Sequence, residues 1–214
     1  MSEENELLSQ LERDALQEIM NIAFGQAAAD LTDVIDLYVT LTVPQIDVIM
    51  YNQIFSFINK EISGDKDISM IKQFFSGRFS GSSVLIFPLG EGKKLLEVFN
   101  ENYEFAEKLY DLDVLEKETL IEISNIIMGA CVSKIAELLG DVVNYSPPRY
   151  FQKDQINKSL EEAFAEKESF AIFFKTCFHF KEFDASGYLF LVCDFKALEW
   201  LKKAIDDYLK MYAF

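Results

Sequence analysis

A chain of 214 residues, half of them hydrophobic, is long enough to bury a substantial core and too short for more than one or two ordinary domains. Its 36 acidic against 20 basic residues leave a formal charge of −16, which repels phosphate backbones and anionic lipid and so argues against nucleic acid and membrane as partners. The opening Ser2-Glu3-Glu4-Asn5-Glu6 has neither the basic nor the apolar region of a secretory signal, and no apolar run reads as membrane-spanning, so the expected location is the cytoplasm.

In chain order, apolar residues at three- and four-residue spacing predict helices near 6–35, 92–110, 113–139, 154–166 and 195–211. Runs rich in Val, Ile, Phe and Tyr predict strands near 37–43, 45–51, 77–88, 141–146, 168–182 and 185–194. The stretch from Tyr51 to Phe75, with a Ser63-Gly64-Asp65 turn, gives no clear element. Cys131, Cys177 and Cys193 are an odd count at no metal-ligand spacing and read as reduced core thiols. The single histidine, His179, lies between Phe178 and Phe180 in a predicted strand, which gives poor support for a histidine metal cluster or a Ser-His-Asp relay.

The dominant feature is a repeat. Leu11, Glu12, Leu16, Glu18, Ile19, Asn21, Ile22, Gly25 and Pro44 recur without a gap, at a constant offset of 104, as Leu115, Glu116, Leu120, Glu122, Ile123, Asn125, Ile126, Gly129 and Pro148. A looser match joins the apolar run after Gly81 to the run after Gly187. The chain therefore reads as one compact α+β unit of two repeats, about 6–110 and 111–214. In it the two halves bury apolar sheet faces against each other around a pseudo-two-fold axis.

On the first helix, Asp14, Glu18, Asn21 and Gly25 stack along one stripe, and Glu118, Glu122, Asn125 and Gly129 do so on the second. A lone Glu-x-x-Asn is ordinarily a solvent-facing pair. Asn and Gly are nevertheless poor helix-interior residues, Gly by about 1 kcal/mol relative to Ala. The two copies differ at many positions and agree on these, which points to function. A glycine one turn beyond the asparagine also lets a partner's backbone approach the amide.

The pattern Asp14-x-x-x-Glu18-x-x-Asn21, then twenty-two residues and Pro44, with its second copy Glu118-x-x-x-Glu122-x-x-Asn125 to Pro148, resembles the active-site signature of the CheC, CheX and FliY family of chemotaxis phosphatases. Two motif copies in one polypeptide make the chain most similar to the CheC branch. The resemblance implies a pseudo-two-fold, duplicated CheC-like fold in which long motif helices flank antiparallel strands. It also implies dephosphorylation of the phospho-aspartate on a CheY-type response regulator. Asn21 and Asn125 would then orient the attacking water, as a glutamine does in small GTPases, and Glu18 and Glu122 would pair with a regulator lysine. Asp14, Glu118, Gly25, Gly129, Pro44 and Pro148 would be accessory. The chain would carry no cofactor of its own, with Mg²⁺ expected on the regulator. The alternative is a non-catalytic adaptor that binds a response regulator or a CheD-type receptor deamidase. Measured against the family pattern, Met20 and Ser124 stand where glycine is frequent, and Phe24 is bulkier than the residue expected before Gly25. Phe24 is the feature that would impair docking at the first site if either site were impaired; both sites are expected to be competent.

Overall fold

The computed structural model describes residues 7–62, 68–88, 90–99, 112–152, 155, 156, 158, 170–182 and 184–212. The elements are α1 (Gln10–Ile35), β1 (Val39–Leu41), β2 (Gln45–Met50), α2 (Tyr51–Ile62), β3 (Ile68–Ser76), β4 (Gly81–Pro88), α3 (Glu91–Phe99), α4 (Leu112–Leu138), β5 (Asn144–Tyr145), β6 (Arg149–Phe151), β7 (Phe170–Phe180), β8 (Ala185–Asp194) and α5 (Phe195–Tyr212).

The first helix starts at Gln10 rather than near residue 6, because Ser9 and Glu12 form a reciprocal cap. The Ser9 Oγ accepts the Glu12 N–H at 3.3 Å, and the Glu12 carboxylate accepts the Ser9 N–H at 2.7 Å. Both long helices are followed by a left-handed residue at the same position of the repeat, Asp36 (φ 53°) after α1 and Gly140 (φ 68°) after α4. The predicted strand at 77–88 begins only at Gly81, since 77–80 form the turn from β3, and the predicted strand at 141–146 shrinks to β5. The Ser63-Gly64-Asp65 turn and most of the predicted helix at 154–166 lie outside the described residues.

One expectation about the architecture is corrected. The halves do not stack sheet face on sheet face; they share one eight-stranded antiparallel sheet, ordered β1-β7-β8-β4-β3-β5, with β2 also on β7 and β6 also on β3. The halves meet edge to edge where β4 pairs with β8, Val84 opposite Phe190. Gly81 and Gly187 lie at this seam. A β-carbon on Gly81 would run into the Val192 carbonyl, and one on Gly187 would meet the Ile86 carbonyl at 2.6 Å. The repeats are also interleaved: β1 and β2 of the first half pair with β7 of the second, and β5 and β6 of the second pair with β3 of the first.

Strands β4 and β8 read as near-continuous apolar runs because both sheet faces are covered. On one face α1, α3, α4 and α5 bury Leu16, Ile19, Leu95, Ile127 and Leu201 against Ile71, Leu85, Phe174 and Leu191. On the other face, Ile54 and Ile58 of α2 pack with Met70, Val84, Phe173 and Phe190. By length and composition α4 is apolar enough to cross a membrane. Half of its most apolar window is buried inside the protein, which accounts for that composition.

Candidate functional site

The two long helices present the repeated polar residues outward. On α1, Asp14, Glu18 and Gly25 are exposed and Asn21 is half-buried, while Ala15, Ile19, Met20, Ala23 and Phe24 face the core. On α4, Glu118, Glu122 and Asn125 are exposed and Gly129 is half-buried, above buried Ile123, Ser124 and Ile127. This corrects the expectation for Phe24: it is 2% exposed, points into the core, and does not obstruct the stripe. Met20 and Ser124 are buried in the same way. A β-carbon built on Gly25 or Gly129 would meet no atom within 4 Å, so packing within the chain does not require glycine at either place.

The repeated prolines lie in the gaps that divide each edge strand in two. Pro44 separates β1 from β2 along β7, and Pro148 separates β5 from β6 along β3. Proline has no N–H to offer the ladder, so the pairing stops there and the chain bulges toward the helix. The gaps are fastened alike. The Cys177 N–H donates to Thr42 Oγ1 at 2.9 Å, and the Phe74 N–H donates to Ser146 Oγ at 3.0 Å. Thr176 Oγ1 donates to the Thr42 carbonyl at 2.6 Å, as Gln73 Nε2 does to the Ser146 carbonyl at 2.9 Å. Thr176 and Gln73 are thus counterparts on β7 and β3.

These gaps bring backbone close to each asparagine, through a glutamine. At the first site Gln17 Nε2 donates to the Pro44 carbonyl at 2.8 Å and lies 3.5 Å from Asn21 Oδ1. At the second, Gln73 Nε2 donates to Asn125 Oδ1 at 2.8 Å as well as to Ser146. Each motif Asn and its proline gap are therefore joined through a glutamine. Neither Gln17 nor Gln73 stood out in the sequence. Gln17 lies one helical turn before Asn21, a spacing that was readable, whereas Gln73 lies in the stretch that gave no pattern.

Glu18 and Glu122 make no ion pair or hydrogen bond among the described residues, and stand one turn before their asparagines. Among the described residues, Asp14 accepts only from Gln10, at 2.8 Å. Beside the second stripe a groove of about 470 Å³ is lined by apolar Val34, Leu115 and Ile126 together with acidic Glu118 and Glu122. His179 sits apart on β7, with Nε2 3.0 Å from Asp184 Oδ1. The three cysteines form no disulfide among the described residues, and burial pushes the Cys131 thiol up to about 12.

Fold and site together define a duplicated sheet protein whose two long helices each carry an outward Glu-x-x-Asn pair beside a proline gap. The profile of the CheC-like family matches residues 11–47 and 115–151, the two motif segments. Over 143 residues the chain is 25% identical to the flagellar motor switch phosphatase FliY of Bacillus subtilis, a match covering 66% of this chain and 36% of that protein. Over 125 residues it is 22% identical to the CheY-P phosphatase CheC of the same organism, 58% of each. The chain thus spans less than two thirds of either curated relative. The crystal structure of FliY from Thermotoga maritima has the same fold, with a TM-score of 0.64 at 20% identity over 95% of this chain and 98% of that one. The two motif segments are thus similar to the CheC-like family, and the α+β fold is the CheC-like fold.

Proposed function

We propose that this chain is a phosphatase acting in the cytoplasm on the phospho-aspartate of a CheY-type response regulator. The observation that carries this reading is the pair of outward carboxamides, Asn21 and Asn125, each beside an unengaged glutamate and each near a glutamine amide. An acyl phosphate is already activated, so the catalyst needs mainly to hold a water in line with phosphorus. Water attacks phosphorus, the bond to the aspartyl oxygen breaks, and inorganic phosphate and a free carboxylate result. Asn21 and Asn125 orient that water, and Glu18 and Glu122 take a lysine of the regulator, which fixes register. Asp14, Glu118, Gly25, Gly129, Pro44 and Pro148 shape the docking stripe. The divalent ion, Mg²⁺, comes with the regulator.

The relatives' printed names, a CheY-P phosphatase and a switch phosphatase, support this reading. Fold alone does not, because one fold can host unrelated functions. The test is multiple turnover: phosphate release from excess phosphorylated CheY-type regulator with a trace of this chain. Release far beyond the amount of chain present is expected. Stable binding to the regulator, or to a CheD-type deamidase, without accelerated release would instead make the chain an adaptor.

A further inference from the structure

We infer that Gln73 is a positioning residue for Asn125, so that the two sites are unequal and the second is the pre-organised one; this rests on the phosphatase reading above. Gln73 is 2% exposed on β3 and reaches Asn125 from beneath the helix. Its orientation follows from its partners. The atom 2.9 Å from the Ser146 carbonyl must be the amide nitrogen, because a second carbonyl oxygen could not bond there. The same nitrogen lies 2.8 Å from Asn125, so the Asn125 atom facing it is the acceptor Oδ1. The Asn125 Nδ2 group, with both its hydrogens, is thereby the end turned away from Gln73.

The first site lacks this support. The counterpart of Gln73 is Thr176, which bonds the Thr42 carbonyl and makes no bond to Asn21. Asn21 depends instead on Gln17, a half-buried side chain of its own helix, at a longer 3.5 Å. Threonine therefore suffices to fasten the strand gap. The glutamine at the second gap also leaves its Oε1 buried without a partner among the described residues, a cost that a purely structural position would not retain. What glutamine adds over threonine is the bond to Asn125.

The experiment isolates each site in turn, with Asn21→Ala leaving the second and Asn125→Ala the first. Gln73→Thr, the residue that the other half uses at this place, is then introduced into each background. Steady-state phosphate release from a Mg²⁺-loaded, phosphorylated CheY-type regulator should show kcat falling about tenfold through the second site with KM nearly constant. The effect should be confined to that site. An equal fall through both sites, or none through the second, overturns the inference. If neither background releases phosphate even with Gln73 intact, it is the phosphatase reading that fails. Positioning is then judged by ¹⁵N relaxation of the side-chain amides: Asn125 should be more ordered than Asn21, and Gln73→Thr should remove the difference. Equal order in the unaltered chain would overturn the inference without reference to turnover.

Discussion

Asp30 and Lys134 occupy the same position of the two repeats, yet they pair with each other, Nζ to Oδ2 at 3.0 Å, across the crossing of α1 and α4. The pseudo-two-fold axis therefore passes between them, and identical residues there would set like charges face to face. Asp30→Lys is expected to lower the melting temperature, and adding Lys134→Asp to recover most of the loss. A double variant no better than the single one in thermal unfolding would show that the pair does not couple the halves.

The seam between β4 and β8 depends on absent side chains. Gly81→Ala places a methyl group against the Val192 carbonyl, and Gly187→Ala places one against the Ile86 carbonyl and the Phe178 ring. Backbone on a central strand gives little, so each change should cost about 3 kcal/mol in urea unfolding. A loss under about 1 kcal/mol would mean that the strands separate more easily than their packing implies.

Asp141 holds the β3–β4 turn to the end of α4. Burial alone would raise its carboxyl, but the N–H groups of Phe79 and Val142 and the Arg78 guanidinium outweigh that and hold it below the usual carboxylate range. A depressed folded value contributes stability above the unfolded value near 4 and loses it as pH falls through the folded value. Asp141→Asn should therefore destabilise by about 2 kcal/mol at pH 7. The gap to the unaltered chain should close below about pH 4. A gap independent of pH would assign the loss to packing.

Glu18 and Glu122 are exposed and have no partner among the described residues, so replacing them should disturb docking rather than folding. Glu18→Ala with Glu122→Ala is expected to raise KM for the phosphorylated regulator and to flatten its dependence on salt, with a smaller effect on kcat. A fall in kcat at constant KM would place the glutamates in the chemical step.

What could be read from the sequence was whatever repeats or has a short period. The two motif helices, the hairpin strands β7 and β8 and the spacing of Glu, Asn and Pro follow from 3.6- and 2-residue patterns and from the offset of 104. Helix α2 and strand β3 did not emerge. β3 places Lys72 and Gln73 in buried positions, which breaks the alternation, and α2 begins directly where β2 ends. The interleaving of the halves was also hidden, since edge pairing of β1 with β7 joins residues some 140 apart and leaves no local trace. Gln73 was missed for the same reason, as its significance comes from a partner on another element.

The most direct test of the account is the rate of phosphate loss from a phosphorylated CheY-type regulator, comparing the unaltered chain with the Asn21→Ala, Asn125→Ala double variant, with binding to the regulator measured in parallel. The account predicts acceleration by the unaltered chain, loss of that acceleration in the double variant, and retained binding through Glu18 and Glu122. Acceleration that survives removal of both asparagines would contradict it, because the water would then be oriented by something other than the repeated pair.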